Sequence, residues 1–301
     1  MFDGENVLIT GVNSTLGVEL AAQLFNARAC ITGMGRNFPK SRRQEYVNFI
    51  RHDLMNPFKA TNQRFSSIFH LAAGPGSRFF VDNNPLAVYR NSVIDYNIFD
   101  FAEKSGVENF YYMSSATAQS MEFLGNDSPN SSLIKERNLS PDGLFGWQKR
   151  GSEIYLEEVK QFLNLRTISF RLFSLYTGIQ GGDDLLSKWL DSARHSRTIT
   201  IWGGDQIRSY IHYSDAVSAM MLIIKKSHNL SRVDIGTNDR YTVSDLANLI
   251  STKAPFPVTL NYEKYSETQF RNQISSQEVL DSYNWEPRFN ISDTISRYFS
   301  N

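Results

Sequence analysis

The run Thr10-Gly11-Val12-Asn13-Ser14-Thr15-Leu16-Gly17 limits this chain more than any other feature, because it joins an apolar strand candidate, Val7 to Thr10, to a helical stretch, Leu16 to Asn26. A strand that turns through glycine straight into a helix presents the helix's free N–H groups, and its positive dipole end, to an anion. Gly11 suits the tight turn, Gly17 suits close packing of helix on strand, and Ser14 holds the middle position, where a glycine would let backbone approach a pyrophosphate. The run reads as a dinucleotide cradle formed by Gly11, Asn13, Ser14, Thr15, Leu16 and Gly17, with the Ser14 hydroxyl as an added donor. An ordinary strand-to-helix turn carries the same pattern, so the rest of the chain must decide.

The same alternation continues. Strand candidates follow at Cys30 to Gly33, Val47 to Arg51, Ser67 to Leu71, Asn109 to Ser114, Arg166 to Arg171 and Ser231 to Ile235. Between them, Leu86 to Lys104 and Phe145 to Leu163 show the three- and four-residue apolar spacing of helices. Strands alternating with helices predict an α/β fold, a doubly wound parallel sheet covered on both faces. The rhythm breaks from Thr177 to Arg208 and again after Gly236, where shorter elements suggest a smaller, interleaved lobe. The expected division is residues 1–175 plus about 209–236 for the cofactor domain, and 176–208 plus about 237–301 for the second lobe.

A dinucleotide's identity is read at the end of the second strand, where an acidic residue usually meets the ribose hydroxyls of NAD. Here the chain runs Gly33-Met34-Gly35-Arg36-Asn37, without a carboxylate. The Arg36 guanidinium suits a 2'-phosphate, with Lys40 or Arg42 as helpers, so NADP is expected over NAD. Asp53 and Leu54 after the third strand are placed beside the adenine, and Leu71-Ala72-Ala73 after the fourth let backbone lie close to the cofactor. His70 is read as a structural histidine, and Cys30, in the apolar run Ala29-Cys30-Ile31, as a core residue.

Taken in order, these motifs, with Asn91, Ser114-Ser115, the Lys149 helix, Arg171 to Tyr176 and Arg208 to Asp215, resemble the extended short-chain dehydrogenases/reductases over nearly the whole length. The resemblance implies a Rossmann domain, a nucleotide-sugar-binding C-terminal lobe, and a homodimer formed through the helices Leu86 to Lys104 and Phe145 to Leu163. It also implies a catalytic set of tyrosine, lysine four residues later, and a serine or threonine. Lys149 matches the lysine and Ser115 the hydroxyl residue, but Phe145 stands at the tyrosine position, and Trp147 and Gln148 also depart from the pattern. Phenylalanine cannot exchange a proton. Three readings stay open: a tyrosine replaced deliberately, an enzyme with another proton donor, or a protein that binds NADP(H) without turnover as a sensor or scaffold. Tyr111 and Tyr112 lie inside a strand, and Tyr155 and Lys160 fall on different helix faces.

Dehydratases of the family carry an acid-bearing triplet after the fifth strand, where this chain has Ser115-Ala116-Thr117. That leaves chemistry at one carbinol or keto carbon, as in a 4-ketoreductase or 4-epimerase. Arg208, after Trp202-Gly203-Gly204-Asp205-Gln206, is the expected contact to the diphosphate of a nucleotide sugar, and Ser174 replaces an asparagine of the family's substrate site. Lys plus Arg equal Asp plus Glu at 31 each, so no net field draws nucleic acid or an anionic membrane to the chain. No apolar run is long enough for a membrane span, and the N-terminus lacks a basic leader, so a cytoplasmic protein is expected. One cysteine excludes an internal disulfide and a cysteine-rich metal site.

Overall fold

A computed structural model describes residues 2–38, 48–59, 63–74, 81, 84–119, 140–227, 229–263 and 272–300. Lys40, Arg42 and Val47 lie outside these residues. The chain divides into two compact units, one of residues 1–120, 140–171 and 220–233, the other of 121–139, 172–219 and 234–301.

The main sheet has seven strands: β1 (Asn6–Thr10), β2 (Cys30–Gly35), β3 (Asn48–Arg51), β4 (Ser67–His70), β5 (Asn109–Ser115), β6 (Arg166–Leu172) and β10 (Arg232–Ile235). Their spatial order is β10-β6-β5-β4-β1-β2-β3, and β1 pairs in parallel with both β2 and β4. The chain runs outward from β1 to β3, then returns to β4 and runs the other way. This reversal opens a crevice beyond the carboxyl ends of β1 and β4, where ligands bind in folds of this kind. Strands covered on both faces need apolar residues in succession, which is why Val7, Leu8 and Ile9 are all buried.

Helices α1 (Thr15–Asn26), α2 (Pro85–Ser105) and α3 (Gly143–Val159) flank this sheet. Ser14 caps α1 by accepting from the Gly17 N–H, and α2 opens on Pro85 and closes at Gly106, whose φ of 67° is the left-handed turn a helix C-terminus favours. The buried face of α2 carries Ile98 and Ala102 and, unusually for a core face, Asn91 and Asp95. Among the described residues no helix is long and apolar enough to cross a membrane. Cys30 is exposed, at the first position of β2, and so is not the core residue that its apolar neighbours suggest: burial begins one residue later, with Ile31 to Met34.

The second unit has its own core around Leu186, Leu190, Ile199, Ile201, Leu246 and Ile295. Its strands are β7 (Ser174–Tyr176), β8 (Thr198–Trp202), β9 (Ile207–His212), β11 (Arg240–Thr242) and β12 (Thr259–Glu263). They form a three-stranded sheet, β11-β9-β7, and a pair, β12-β8. Helix α4 (Leu185–His195) is capped by the Asp184 carboxylate and α6 (Val243–Lys253) by the Thr242 hydroxyl. Helix α5 (Tyr213–Lys226) follows β9.

Candidate cofactor and active site

The glycine-bearing turn lies at the crevice and its shape is fixed by sterics. A Cβ on Gly11, which has φ of 70°, would lie 2.8 Å from the Ala72 nitrogen; one on Gly17 would lie 2.6 Å from the Gly11 carbonyl oxygen. Both distances are shorter than real side chains allow, so these two positions require glycine. The Ser14 hydroxyl donates to the Gly11 carbonyl at 2.9 Å and accepts from the Gly17 N–H at 3.1 Å, so it holds the turn together. Leu16 is buried and offers only its backbone, whereas Asn13, Ser14 and Thr15 are exposed at the helix N-terminus. This combination of a glycine-lined approach and an exposed helix start fits a dinucleotide pyrophosphate.

The turn is tied to the loop that carries Arg36. Asn13 donates to the Asn37 carbonyl at 2.6 Å, and Arg51 of β3 donates to the Arg36 carbonyl at 3.2 Å. The Arg36 side chain is exposed. Asp53 is also exposed and accepts from the Met55 N–H, while Leu54 is buried and gives its carbonyl to Asn97. Leu71 and Ala72 are half-buried against Gly11, Ala73 is exposed, and Asn91 of α2 accepts from the Gly74 N–H at 2.7 Å.

Ser115 ends β5, and its Oγ accepts from both the Thr117 N–H at 3.2 Å and the Thr117 hydroxyl at 2.9 Å. With its lone pairs engaged in this way, what Ser115 has left to offer is its proton. Gly146 seats the first turn of α3 on this segment: a Cβ there would lie 2.3 Å from the Thr117 carbonyl. Phe145 and Lys149, four residues apart, share one side of α3. The Phe145 ring is half-buried, with the Lys149 ammonium 5.8 Å from its centroid. The three residues matched to the catalytic set therefore sit at the start of α3 and the end of β5.

Lys149 nonetheless has a phenolic partner. Its Nζ donates to Tyr112 Oη at 3.1 Å and to the Met113 carbonyl at 3.0 Å. Tyr112, on β5 and fully buried, donates its hydroxyl hydrogen bond to Asp95 at 2.5 Å. Asp95 also receives Gln148 and Ser152, each at 2.7 Å, and His70 Nε2 at 3.0 Å. A carboxylate acceptor requires His70 to carry its proton on Nε2, so Nδ1 accepts from the Thr10 hydroxyl at 2.7 Å. Burial disfavours ionisation of Asp95, but the Lys149 charge and the bonds from His70 and Tyr112 outweigh it and lower its pKa to about 2. Burial lowers the pKa of His70 and of Lys149, opposed in each case by Asp95, and raises that of Tyr112.

Glu153, further along α3, grips Arg171 of β6 in a bidentate pair of 2.9 and 2.6 Å and accepts from Ser114. Both charges are fully buried, so the pair fixes α3 on β5 and β6 and has no route to a ligand.

In the second unit, Ser174 on β7 and Arg208 on β9 belong to one three-stranded sheet and both are half-buried; Ser174 is in register with Tyr210. The Gln206 amide closes the preceding turn by bonding the Gly204 N–H and the Trp202 carbonyl. The motif reading missed Asp95, Tyr112 and Thr117, although the placement of Asp95 and Asn91 on the apolar side of α2 was a signal available from spacing alone.

The model of the NAD dependent epimerase/dehydratase family matches residues 7–236. The chain belongs to that family. An uncharacterised protein of Methanocaldococcus jannaschii is 24% identical over 98% of this chain and 95% of its own length. Among solved structures, the Thermus thermophilus UDP-glucose 4-epimerase in complex with NAD superposes with a TM-score of 0.79 at 16% identity, covering 98% of this chain and 99% of that one. TunA, an NAD dependent NDP-hexosamine 5,6-dehydratase of tunicamycin biosynthesis, has a TM-score of 0.82 at 16% identity, with coverage of 98% and 96%. At such identities the structures speak for the fold, a mostly parallel sheet flanked by helices.

Proposed function

We propose that this chain binds NADP(H) in the Gly11–Gly17 cradle and acts on a nucleotide-diphosphate sugar at a single carbinol or keto carbon, as a 4-ketoreductase or 4-epimerase. The observation that carries this reading is the grouping of Ser115, Phe145 and Lys149 at the junction of β5 and α3, with hydroxyls and no carboxylate in Ser115-Ala116-Thr117. Elimination of water across C5 and C6 needs an acid and a base near those carbons, and a Ser-Ala-Thr segment supplies neither. When bound, the nicotinamide would supply or accept hydride. The protein's part is to bind, orient and polarise: Ser115 donates its proton toward the sugar oxygen, and the Lys149 ammonium supplies positive charge.

The family's description names NAD; the preference for NADP rests on Arg36, held near the cradle by the Asn13 and Arg51 bonds, with no acid in the Gly33 to Asn37 segment. For the sugar nucleotide, Arg208 is the proposed diphosphate contact and Ser174 a polar neighbour on the same sheet. Tyr89 and Tyr96 of α2, and Leu144 and Trp147 of α3, are exposed aromatic or aliphatic side chains, which favours a homodimer paired through these two helices.

Phe145 favours a second reading, a protein that binds NADP(H) as a sensor or scaffold without turnover. Titrating NADPH and NADH by fluorescence, followed by a panel of uridine, thymidine, guanosine and cytidine diphosphate sugars, separates the two. Hydride transfer or a 4-epimer product supports catalysis. Cofactor binding without turnover on any member supports the second reading, and failure to bind either dinucleotide overturns both.

A further inference from the structure

Lys149 lies beside Phe145, whose ring offers no hydroxyl, and its side chain is buried. A buried ammonium sheds its proton unless an anion is close. Around it, β4 contributes His70, β5 contributes Tyr112, α2 contributes Asp95, and its own helix contributes Glu153. Glu153 is paired with Arg171, and burial lowers the His70 pKa, which favours its neutral form. Among the described residues Asp95 is the larger of the two anions that favour the Lys149 ammonium, ahead of Glu153, and it is reached through the Tyr112 hydroxyl, which accepts from the lysine and donates to the carboxylate.

We propose that Asp95, acting through Tyr112, is the positioning residue for Lys149, holding its ammonium charged and directed toward β5 at the base of the site. This rests on the reading of Lys149 as part of a cofactor site, but its electrostatic content does not require turnover. Four donors converge on Asp95, from His70, Tyr112, Gln148 and Ser152, which fill the acceptor sites of its carboxylate and keep it ionised. Two of them come from the helix that carries Lys149, so the same anion fixes both the lysine's charge and the rotation of its helix. Asp95 itself is buried.

The test is a carbon-13 NMR titration of the lysine side chains in full-length protein, with the Lys149 signal assigned by its loss in Lys149→Met. In Asp95→Asn the Lys149 midpoint should fall by at least one pH unit relative to wild type, a tenfold change in its protonation equilibrium. In Tyr112→Phe, which keeps the anion and removes the bridge, it should fall by less. A cooperative thermal transition checks that each variant is folded; if Asp95→Asn is not, Tyr112→Phe decides. An unchanged midpoint in a folded variant overturns the proposal, because a merely structural carboxylate would alter the melting temperature and leave the lysine's titration in place. NADPH titrations across the same pH range separate the two levels. Affinity that falls with rising pH in Asp95→Asn, but not in wild type, supports both, whereas wild type that binds neither NADPH nor NADH defeats the cofactor-site reading and leaves the lysine midpoint to judge Asp95.

Discussion

Lys149 Nζ lies 3.1 Å from Tyr112 Oη, and that phenol donates a hydrogen bond to Asp95 at 2.5 Å. A lysine whose helical neighbour at position 145 has no hydroxyl thus has its phenol on the sheet instead, inside the core. Removing that oxygen by Tyr112→Phe leaves a buried ammonium and a buried carboxylate each short of one bond. Loss of a hydrogen bond to charged groups in the interior is expected to lower unfolding free energy by about 1.5 to 3 kcal/mol, measured by urea denaturation at neutral pH.

The His70 network sets a pH dependence with a definite sign. Burial lowers the His70 pKa below its ordinary value of 6.5, so between that value and the folded one the unfolded chain binds more protons than the native protein. Stability contributed by neutral His70 is present above pH 6.5 and is lost as pH falls below it. Asp95, with its pKa lowered to about 2 from 3.8, adds stability present above 3.8 that is lost as pH falls toward 2. Urea midpoints should therefore drop from pH 7 to pH 5, and His70→Gln should flatten that portion of the curve while lowering stability at pH 7. A midpoint independent of pH from 7 to 5 in the parent protein would contradict this.

The cradle is the part of the site that tolerates least. Gly17→Ala would place a methyl group 2.6 Å from the Gly11 carbonyl and 2.7 Å from that of Val12, both rigid backbone atoms. Overpacking of this kind typically destabilises by about 1 to 3 kcal/mol, and the turn must open to relieve it. The variant should melt lower and lose most of its dinucleotide affinity, whereas Gly151→Ala, on α3 with open space around its Cα, should change neither. Calorimetric melting with and without NADPH reads both effects.

Arg36 is exposed and its carbonyl is bonded by Arg51, so truncating the side chain should leave the loop in place. Arg36→Ala is expected to reduce any NADPH-over-NADH preference by about 1.5 to 3 kcal/mol, the range of a charged hydrogen bond, without changing NADH affinity. Equal affinities in the parent protein would remove the basis for NADP.

The seven strands of the main sheet were legible because most carry a short apolar run bounded by turn residues, and each predicted run lies within a residue or two of its observed bounds, with Val47 outside the described residues. The glycine turn was legible for a similar reason, since sterics allow few residues there. The strands of the second unit were not: β8, β9, β11 and β12 are short and partly exposed, and their pairing depends on partners up to about sixty residues away, as in Thr198 with Thr259. Cys30 misled because apolar neighbours do not say where along a strand burial begins, and it stands one residue outside the buried run Ile31 to Met34. The Asp95 network was hidden by distance along the chain, Thr10 and Gln148 being joined only when β1, β4, β5, α2 and α3 pack together.

The decisive substitution is Phe145→Tyr. The Phe145 ring is half-buried beside Lys149 at the start of α3, and Ser115, at the end of β5, has its oxygen occupied by two bonds from Thr117. A hydroxyl added to that ring would stand near an ammonium, which favours the phenolate and lowers the phenol's pKa. Folding should be preserved, since the change adds one polar atom to a ring that already meets solvent. If position 145 is the missing acid/base of a reductase or epimerase, the variant should gain about 100- to 10,000-fold in hydride-transfer rate on a nucleotide sugar, the range for one positioned proton-transfer group. Oxidation of the sugar should accelerate as pH rises through the phenol's pKa, because the phenolate is the base in that direction. Turnover with NADP(H) and a nucleotide-sugar panel, read by nicotinamide absorbance and product stereochemistry, provides the measurement. A variant that binds both ligands yet turns over nothing more than its parent would show that the missing oxygen is not what separates this chain from catalysis, and would move the balance to a dinucleotide-binding protein whose buried lysine serves structure and affinity.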